Sequence, residues 1–168
     1  MKGSEKIILD AGELEAELER RRAQGMRIVL TNGTFDILHV GHVRALEEAR
    51  SRGDLLLVAL NSDASVRSYK GPGRPFVPLE ERAEILAALQ SVDLVTVFEE
   101  PDAHALIRRV RPDVYAKGRD YDRQTLPEAA TAREVGAELA FVGDEKTHAA
   151  SDLVRRLRGN GEPSGDHG

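Results

Sequence analysis

Short runs of apolar residues alternate with amphipathic segments along the chain. Consecutive apolar residues are typical of strands that are buried on both faces, and they predict strands at residues 27–31, 54–60, 93–98, 113–117 and 137–142. Apolar residues at helical spacing predict helices at roughly 13–24, 41–52, 78–90, 102–110, 127–135 and 150–158. Residues 62–78 contain the turn-forming stretch KGPGRP and therefore predict a loop.

The repeated alternation of strand and helix predicts an α/β fold. We expect a Rossmann-like, doubly wound parallel sheet of five strands in a single domain, residues 1–158, followed by a disordered polar tail at 159–168. A polar cluster follows each predicted strand, at 31–42, 61–63, 98–101, 117–120 and 143–151. Because such folds bind ligands outside the carboxyl ends of their strands, these clusters predict one binding site at that edge of the sheet.

Composition narrows the class of protein. With 168 residues, 40% of them hydrophobic, the chain can form one packed core. The absence of cysteine excludes disulfides and thiolate metal sites and fits a reducing compartment. The longest apolar run is too short to span a membrane, the first ten residues lack a signal-peptide core, and the net charge is -5. We therefore expect a cytoplasmic protein that binds neither membranes nor nucleic acid.

The segment TNGTFDILHVGH, residues 31–42, joins the first predicted strand to the following helix. The backbone amides of Gly33 and Thr34 can approach an oxyanion closely, and the start of a helix offers further N–H groups and its positive dipole end. His39 and His42 are three residues apart, so both rings lie on one face, and Gly41 leaves the space between them open. The chain has neither a P-loop nor a dinucleotide-binding glycine pattern, and a zinc site would need a third ligand. The segment predicts a phosphate site.

These residues resemble the signature of the HxGH nucleotidyltransferases, the cytidylyltransferase-like superfamily. The stretches LNSDASV (60–66), KGPGRPFVPLEERAEILAAL (70–89) and RPDVYAKGRDY (111–121) are similar to the branch that adenylylates D-glycero-β-D-manno-heptose 1-phosphate. The resemblance runs from about residue 7 to 158. It implies that a sugar phosphate attacks the α-phosphorus of ATP in line and that pyrophosphate leaves. The alternatives are a cytidylyltransferase acting on glycerol 3-phosphate or a related polyol phosphate, and a nucleotide-binding relative without activity.

The resemblance also assigns roles to residues. The catalytic set that it implies is His39, His42 and Lys70, with Lys70 in a loop, residues 66–77, that orders when nucleotide binds. Further nucleotide contacts that it implies are Asn32, Gly33, Thr34, Phe35, Gly41, Arg82, Gly118, Thr147 and Ser151. The acceptor contacts that we expect are Asn61, Asp63, Arg74, Lys117 and Asp120, with Arg119 as a further candidate.

Several of these assignments have alternatives. Arg74 and Arg82 bind phosphate or else pair with Glu80 or Glu81, and Asn61 and Asp63 serve a metal, a sugar hydroxyl or a turn. Asp36 is expected to fix the turn or a histidine tautomer rather than to contact substrate.

The expected cofactor is Mg²⁺ carried by the triphosphate, with no metal site built from protein side chains. The expected partners are ATP, a phosphorylated sugar, a separate sugar kinase that supplies it, and a second copy of the chain in a possible homodimer. One departure concerns the start of the last helix, where Ala149 and Ala150 replace the hydroxyl residues usual in the branch.

Overall fold

A computed structural model describes residues 3–144 and 150–159 of the chain. Five strands form one parallel sheet: β1 (Ile28–Gly33), β2 (Leu55–Asn61), β3 (Leu94–Phe98), β4 (Val114–Gly118) and β5 (Glu138–Val142). Their order in the sheet is β3-β2-β1-β4-β5, so the chain winds outward in both directions from β1. The predicted doubly wound fold is confirmed, and each strand lies within two residues of its predicted bounds.

Helices cover both faces of the sheet. Within the described residues they are α1 (Ala11–Ala23), α2 (Val40–Arg50), α3 (Asp63–Lys70), α4 (Leu79–Ala87), α5 (His104–Val110), α6 (Ala129–Glu134) and α7 (Ala150–Gly159), with a short 3-10 turn at Gly3–Lys6. Alternate residues of each strand face opposite sides, so Ile28 and Leu30 pack with α1, α5 and α6, whereas Val29 packs with α2 and α4. None of these helices is both long and apolar enough to cross a membrane.

The prediction of a loop throughout residues 62–78 is wrong in its first half, because α3 occupies Asp63–Lys70. The hydroxyl of Ser62 caps this helix by accepting a hydrogen bond from the Ser65 amide (3.1 Å). Val66 is its one buried apolar residue, so the helix has no apolar periodicity by which it could be recognised. Gly71 ends it with a φ of 95°, a conformation that glycine adopts without strain.

Gly159 belongs to α7, and the rest of the predicted tail, residues 160–168, lies outside the described residues.

Candidate active site

A cleft opens at the carboxyl end of the sheet, between β1 and β4. Strand β1 pairs with β2 over six residue pairs from Ile28 to Gly33, but with β4 only at Val29 and Leu30. Beyond Leu30 the two strands are not paired, and this is also the point where strand order reverses, the usual ligand position in this fold. The cleft has a volume of about 200 Å³ and is lined by Thr31, Asn32, Gly33, Thr34, Phe35, His42, Ala45, Leu46, Lys117, Gly118, Tyr121 and Val142.

The two histidines are held together at the start of α2. His39 is the N-cap residue, and its Nδ1 accepts a hydrogen bond from the Gly41 amide (3.1 Å). The amide of His39 in turn donates to Nδ1 of His42 (3.3 Å), and the ring centroids are 3.9 Å apart. Because an Nδ1 that accepts a hydrogen bond carries no proton, the neutral form of each ring carries its proton on Nε2. Each ring can therefore donate from Nε2 to a ligand.

His42 is a neutral donor at physiological pH. Burial, and then the charges of His39 and Lys70, lower the pKa of His42 from 6.5 to about 4. Any formal positive charge at the site must therefore come from other groups.

Residues 32–35, which we call the phosphate turn, have a backbone fixed by their own packing. Phe35 adopts a left-handed φ of 48°, and a Cβ on Gly33 would lie 3.0 Å from Cε2 of the Phe35 ring. A side chain at position 33 would therefore disturb the turn. Across the cleft, the hydroxyl of Tyr115 donates to Oδ1 of Asn32 (2.6 Å), so the group that Asn32 can offer a ligand is its amide nitrogen.

Asp36 anchors the segment that follows α3. Its carboxylate accepts hydrogen bonds from the amides of Phe76 (2.8 Å) and Val77 (2.9 Å) and from Nε of Arg74 (2.8 Å). Burial alone raises the pKa of Asp36, but these donors outweigh it and hold the pKa below its ordinary value. Asp36 was expected to fix its own turn or a histidine tautomer, and its partners show that it instead holds the distant segment at residues 74–77. Arg74 was expected to contact the acceptor, but it pairs with Asp36 and lies 4.5 Å from the Phe76 ring centroid.

Arg82 has a different role from the nucleotide contact that was expected, because its side chain is 0% exposed. Its guanidinium donates to Oδ1 of Asp63 (2.6 Å) and to the carbonyl groups of Thr34 (2.7 Å), Asn61 (3.0 Å) and Val77 (3.0 Å). It therefore joins the ends of β1 and β2 to the starts of α3 and α4.

Asn61 and Asp63 were expected to contact the acceptor, but both side chains have partners within the protein. Asp63 forms the ion pair with Arg82, and buried Asn61 donates from Nδ2 to Oγ of Ser65 (3.3 Å). Both side chains thus belong to the framework that supports the cleft.

The structure places a lysine on each side of the histidines. Lys70, the last residue of α3, is close enough to His42 for its charge to lower the pKa of that ring. Partial desolvation, and then the charge of Arg74, lower the pKa of Lys70 itself. Lys117 lines the opposite wall, where burial lowers its pKa and the carboxylates of Glu128 and Asp120 oppose the shift. These lysines are the cations that the neutral His42 ring does not supply.

Of the remaining predicted contacts, Gly118 and Asp120 lie together, because a Cβ on Gly118 would come 2.5 Å from Oδ1 of Asp120. Arg119 instead pairs with Glu48 (2.8 Å), which removes it from the acceptor set. Thr147 and Ala149 lie outside the described residues, and so do the side chains of Ala150 and Ser151. Among the described residues, no group of three histidine, aspartate or glutamate side chains forms a metal site.

Three tyrosines at the site were missed by sequence reasoning. Tyr121 lines the cleft, with Nζ of Lys117 5.4 Å from its ring centroid. Tyr115 holds Asn32, and the hydroxyl of Tyr69 is hydrogen-bonded to the hydroxyl of Thr34. Tyr115 could have been found from the sequence, because it lies within an apolar strand and a buried tyrosine hydroxyl usually has a hydrogen-bond partner. Tyr69 gave no such signal because it does not belong to an apolar run, and an exposed tyrosine hydroxyl needs no partner within the protein.

Comparison with known proteins agrees with this geometry. The Cytidylyltransferase-like family model matches residues 30–156. The chain is 46% identical over 154 residues to the bifunctional protein HldE of Rhodopseudomonas palustris and 47% identical over 157 residues to that of Nitrobacter winogradskyi, covering 92% of this chain in each case. It spans only 31% and 32% of those relatives' own length.

A solved structure is also similar. It is a lipopolysaccharide core biosynthesis protein from Thermoplasma volcanium, with a TM-score of 0.63 and 27% sequence identity. The match covers 73% of this chain and 100% of that one.

Proposed function

The chain belongs to the cytidylyltransferase-like family of nucleotidyltransferases, and we propose that it transfers AMP from ATP to a sugar 1-phosphate, D-glycero-β-D-manno-heptose 1-phosphate. The products are ADP-heptose and pyrophosphate. The observation that carries this proposal is the pair of histidines at the start of α2, both with Nδ1 occupied by a backbone amide and with a lysine on either side. Such a site presents donors and positive charge to phosphate oxygens.

The proposed reaction needs no covalent enzyme intermediate. An oxygen of the sugar phosphate forms a bond to the α-phosphorus of ATP, and the bond from that phosphorus to the bridging oxygen of the β-phosphate breaks. The electron pair of the broken bond leaves with pyrophosphate. Since the attacking oxygen is already ionised, no proton has to be removed from it, and the chemistry depends on alignment and on stabilising negative charge.

The residues of the cleft suit that task. His42 is neutral, and its Nε2–H can donate to the phosphate oxygens that gain charge as pyrophosphate leaves, with His39 beside it. Backbone amides of the phosphate turn and the N-terminus of α2 add donors that need no rearrangement. Lys70 reaches the triphosphate from one side. Lys117 and the amide of Asn32 face the acceptor phosphate from the other.

Mg²⁺ would enter with the triphosphate rather than on protein ligands. The described part of the cleft is rich in donors, and the nearby carboxylate of Asp36 is already bound to Arg74, Phe76 and Val77. When bound, the ion supplies charge neutralisation and fixes the shape of the triphosphate.

The choice of acceptor is supported by the relatives and by part of the cleft. Asn61, Asp63 and Arg119 are not available to the acceptor, because the side chain of each is bonded within the protein. The ring of Tyr121, beside Lys117, offers a flat surface against which a pyranose can pack. A sugar kinase would supply the acceptor phosphate. Cytidylyl transfer to glycerol 3-phosphate is the alternative that the experiment must exclude.

The test is a grid of ATP and CTP against heptose 1-phosphate, other sugar 1-phosphates and glycerol 3-phosphate, with Mg²⁺ and pyrophosphate release as the readout. We expect ATP with the heptose phosphate to be faster than any CTP reaction by at least about tenfold, because a site matched to one ligand leaves polar groups unpaired with another. His42→Ala serves as the control that any activity belongs to this cleft. Preference for CTP with glycerol 3-phosphate would refute the substrate assignment, and no pyrophosphate from any pair would refute the enzyme.

A further inference from the structure

Helix α3 is attached to the phosphate turn at both of its ends. At its start, Asp63 pairs with Arg82 (2.6 Å), and Arg82 donates to the carbonyl oxygen of Thr34 (2.7 Å). At its end, the hydroxyl of Tyr69 is hydrogen-bonded to Oγ1 of the same Thr34. Two independent contacts therefore hold this short helix against a single residue of the turn.

Tyr69 is unusual among the residues of α3. Its side chain is 51% exposed, so its ring adds little to the core, yet its hydroxyl bonds to a residue 35 positions earlier in the sequence. Lys70 follows it directly, and Nζ of Lys70 lies 5.9 Å from the Tyr69 ring centroid. A constraint on Tyr69 therefore constrains the position of Lys70.

The segment after Lys70 is also attached to the same part of the chain. Beyond Gly71, the Asp36 carboxylate binds Arg74, Phe76 and Val77. Lys70 thus lies between two anchor points, one at Thr34 and one at Asp36. The sequence predicted a loop that becomes ordered only when nucleotide binds, whereas these two anchor points favour a segment that is already held in place.

We propose that Tyr69 is a positioning residue whose hydrogen bond to Thr34 holds Lys70 beside the histidines before the nucleotide arrives. The inference rests on the proposed function, because it takes Lys70 to be the cation that meets the triphosphate. A free lysine side chain loses rotamer freedom when it is immobilised on a ligand. On a mobile segment the backbone would have to be ordered as well, and holding it in place beforehand removes that additional cost; donors that are already in place are those that stabilise a transition state most.

The kinetic test uses Tyr69→Phe, which removes only the hydroxyl. Its matched control is Ser68→Ala, which removes a hydroxyl from the same turn of α3. Within the described part of the chain, this hydroxyl bonds only to the Ser65 carbonyl of the same helix (2.6 Å). We expect Tyr69→Phe to lower kcat/KM for ATP by about threefold to tenfold, the scale of one hydrogen bond, and Ser68→Ala to leave it unchanged.

A double-mutant cycle with Lys70→Ala separates positioning from contact. If Tyr69 acts through Lys70, then Tyr69→Phe should change kcat/KM by less than about twofold once Lys70 is alanine. An equal loss in both backgrounds would mean that Tyr69 acts independently of Lys70, either on the substrate or through Thr34, which overturns the proposal. A loss no larger than that of Ser68→Ala would overturn it as well.

Amide hydrogen exchange on the protein without ligand tests the same idea independently of activity. Residues 66–77 should be protected in the parent and in Ser68→Ala, and should exchange faster in Tyr69→Phe. Equal exchange in Tyr69→Phe and parent overturns the inference, whatever the assays show. If exchange changes as expected but no pyrophosphate is released with any substrate, the proposed function fails while the contact between Tyr69 and Thr34 stands.

Discussion

The titration of His42 can be measured on the protein alone, without any substrate. Burial, followed by the charges of His39 and Lys70, lowers its pKa from 6.5 to about 4. Between these two pH values the folded protein binds fewer protons at His42 than the unfolded chain does, so acidification favours unfolding. The contribution of His42 to stability is therefore complete above pH 6.5 and is lost as pH falls towards 4.

The size of the effect follows from the size of the shift. One pKa unit corresponds to about 1.4 kcal/mol, so a shift from 6.5 to about 4 limits the total to about 3 kcal/mol. At pH 5 somewhat more than half of this would be lost. Because His42 lines an open cleft, water screens part of the interaction. We therefore expect a loss of about 1 kcal/mol between pH 7 and pH 5 that is due to His42.

The assay is urea unfolding of the parent and of His42→Gln at pH 7 and pH 5. Glutamine retains a hydrogen-bonding amide and does not titrate, and all other ionisable groups are common to both proteins. The parent should lose about 1 kcal/mol more than His42→Gln over this interval. Equal losses would refute the lowered pKa and, with it, the assignment of His42 as a neutral donor.

Three further predictions concern the site and its support. His39→Ala and His42→Ala should each lower kcat by about 10²–10³ with a smaller change in the KM for nucleotide, because each removes a donor acting in the transition state; rates within about threefold of the parent would contradict the role. Arg82→Met should lower the free energy of unfolding in urea by about 3–5 kcal/mol, whereas Arg119→Met, which removes an exposed ion pair, should change it by less than about 1 kcal/mol. Lys117→Met should raise the KM for the sugar phosphate more than the KM for ATP in initial-rate measurements; the reverse order would place Lys117 at the nucleotide.

The strands and most helices were predictable because their signals are local. The run of residues 55–60 is buried on both faces of the sheet, so every residue in it is apolar, and its identity as a strand does not depend on which partner lies beside it. Helix α3 was not predicted, because it is short and contributes a single buried apolar residue, Val66, so it has no apolar periodicity. Its start is marked only by the cap at Ser62, a weaker signal than periodicity.

The site shows the same division between local and distant causes. Gly33, Thr34, His39 and His42 could be assigned together because the turn and the helix start that bring them together are contiguous in sequence. The role of Asp36 was only half predicted, since its partners Phe76 and Val77 lie 40 and 41 residues further along the chain. Nothing in the residues around position 36 identifies those amides as its partners.

The sequence by itself determined the alternation of strand and helix, and it predicted both the edge of the sheet at which a ligand would bind and a phosphate-binding role for residues 31–42, because periodicity, helix capping and glycine conformation depend on neighbouring residues. Only the tertiary structure decided which charged side chains are available to a ligand. Arg82 and Lys70 were both candidate phosphate cations, but Arg82 is buried against Asp63 and three carbonyl groups, whereas Lys70 lies beside the histidines. Burial and long-range pairing arise only when the chain is folded, so neither can be inferred from a charged residue and its neighbours in sequence.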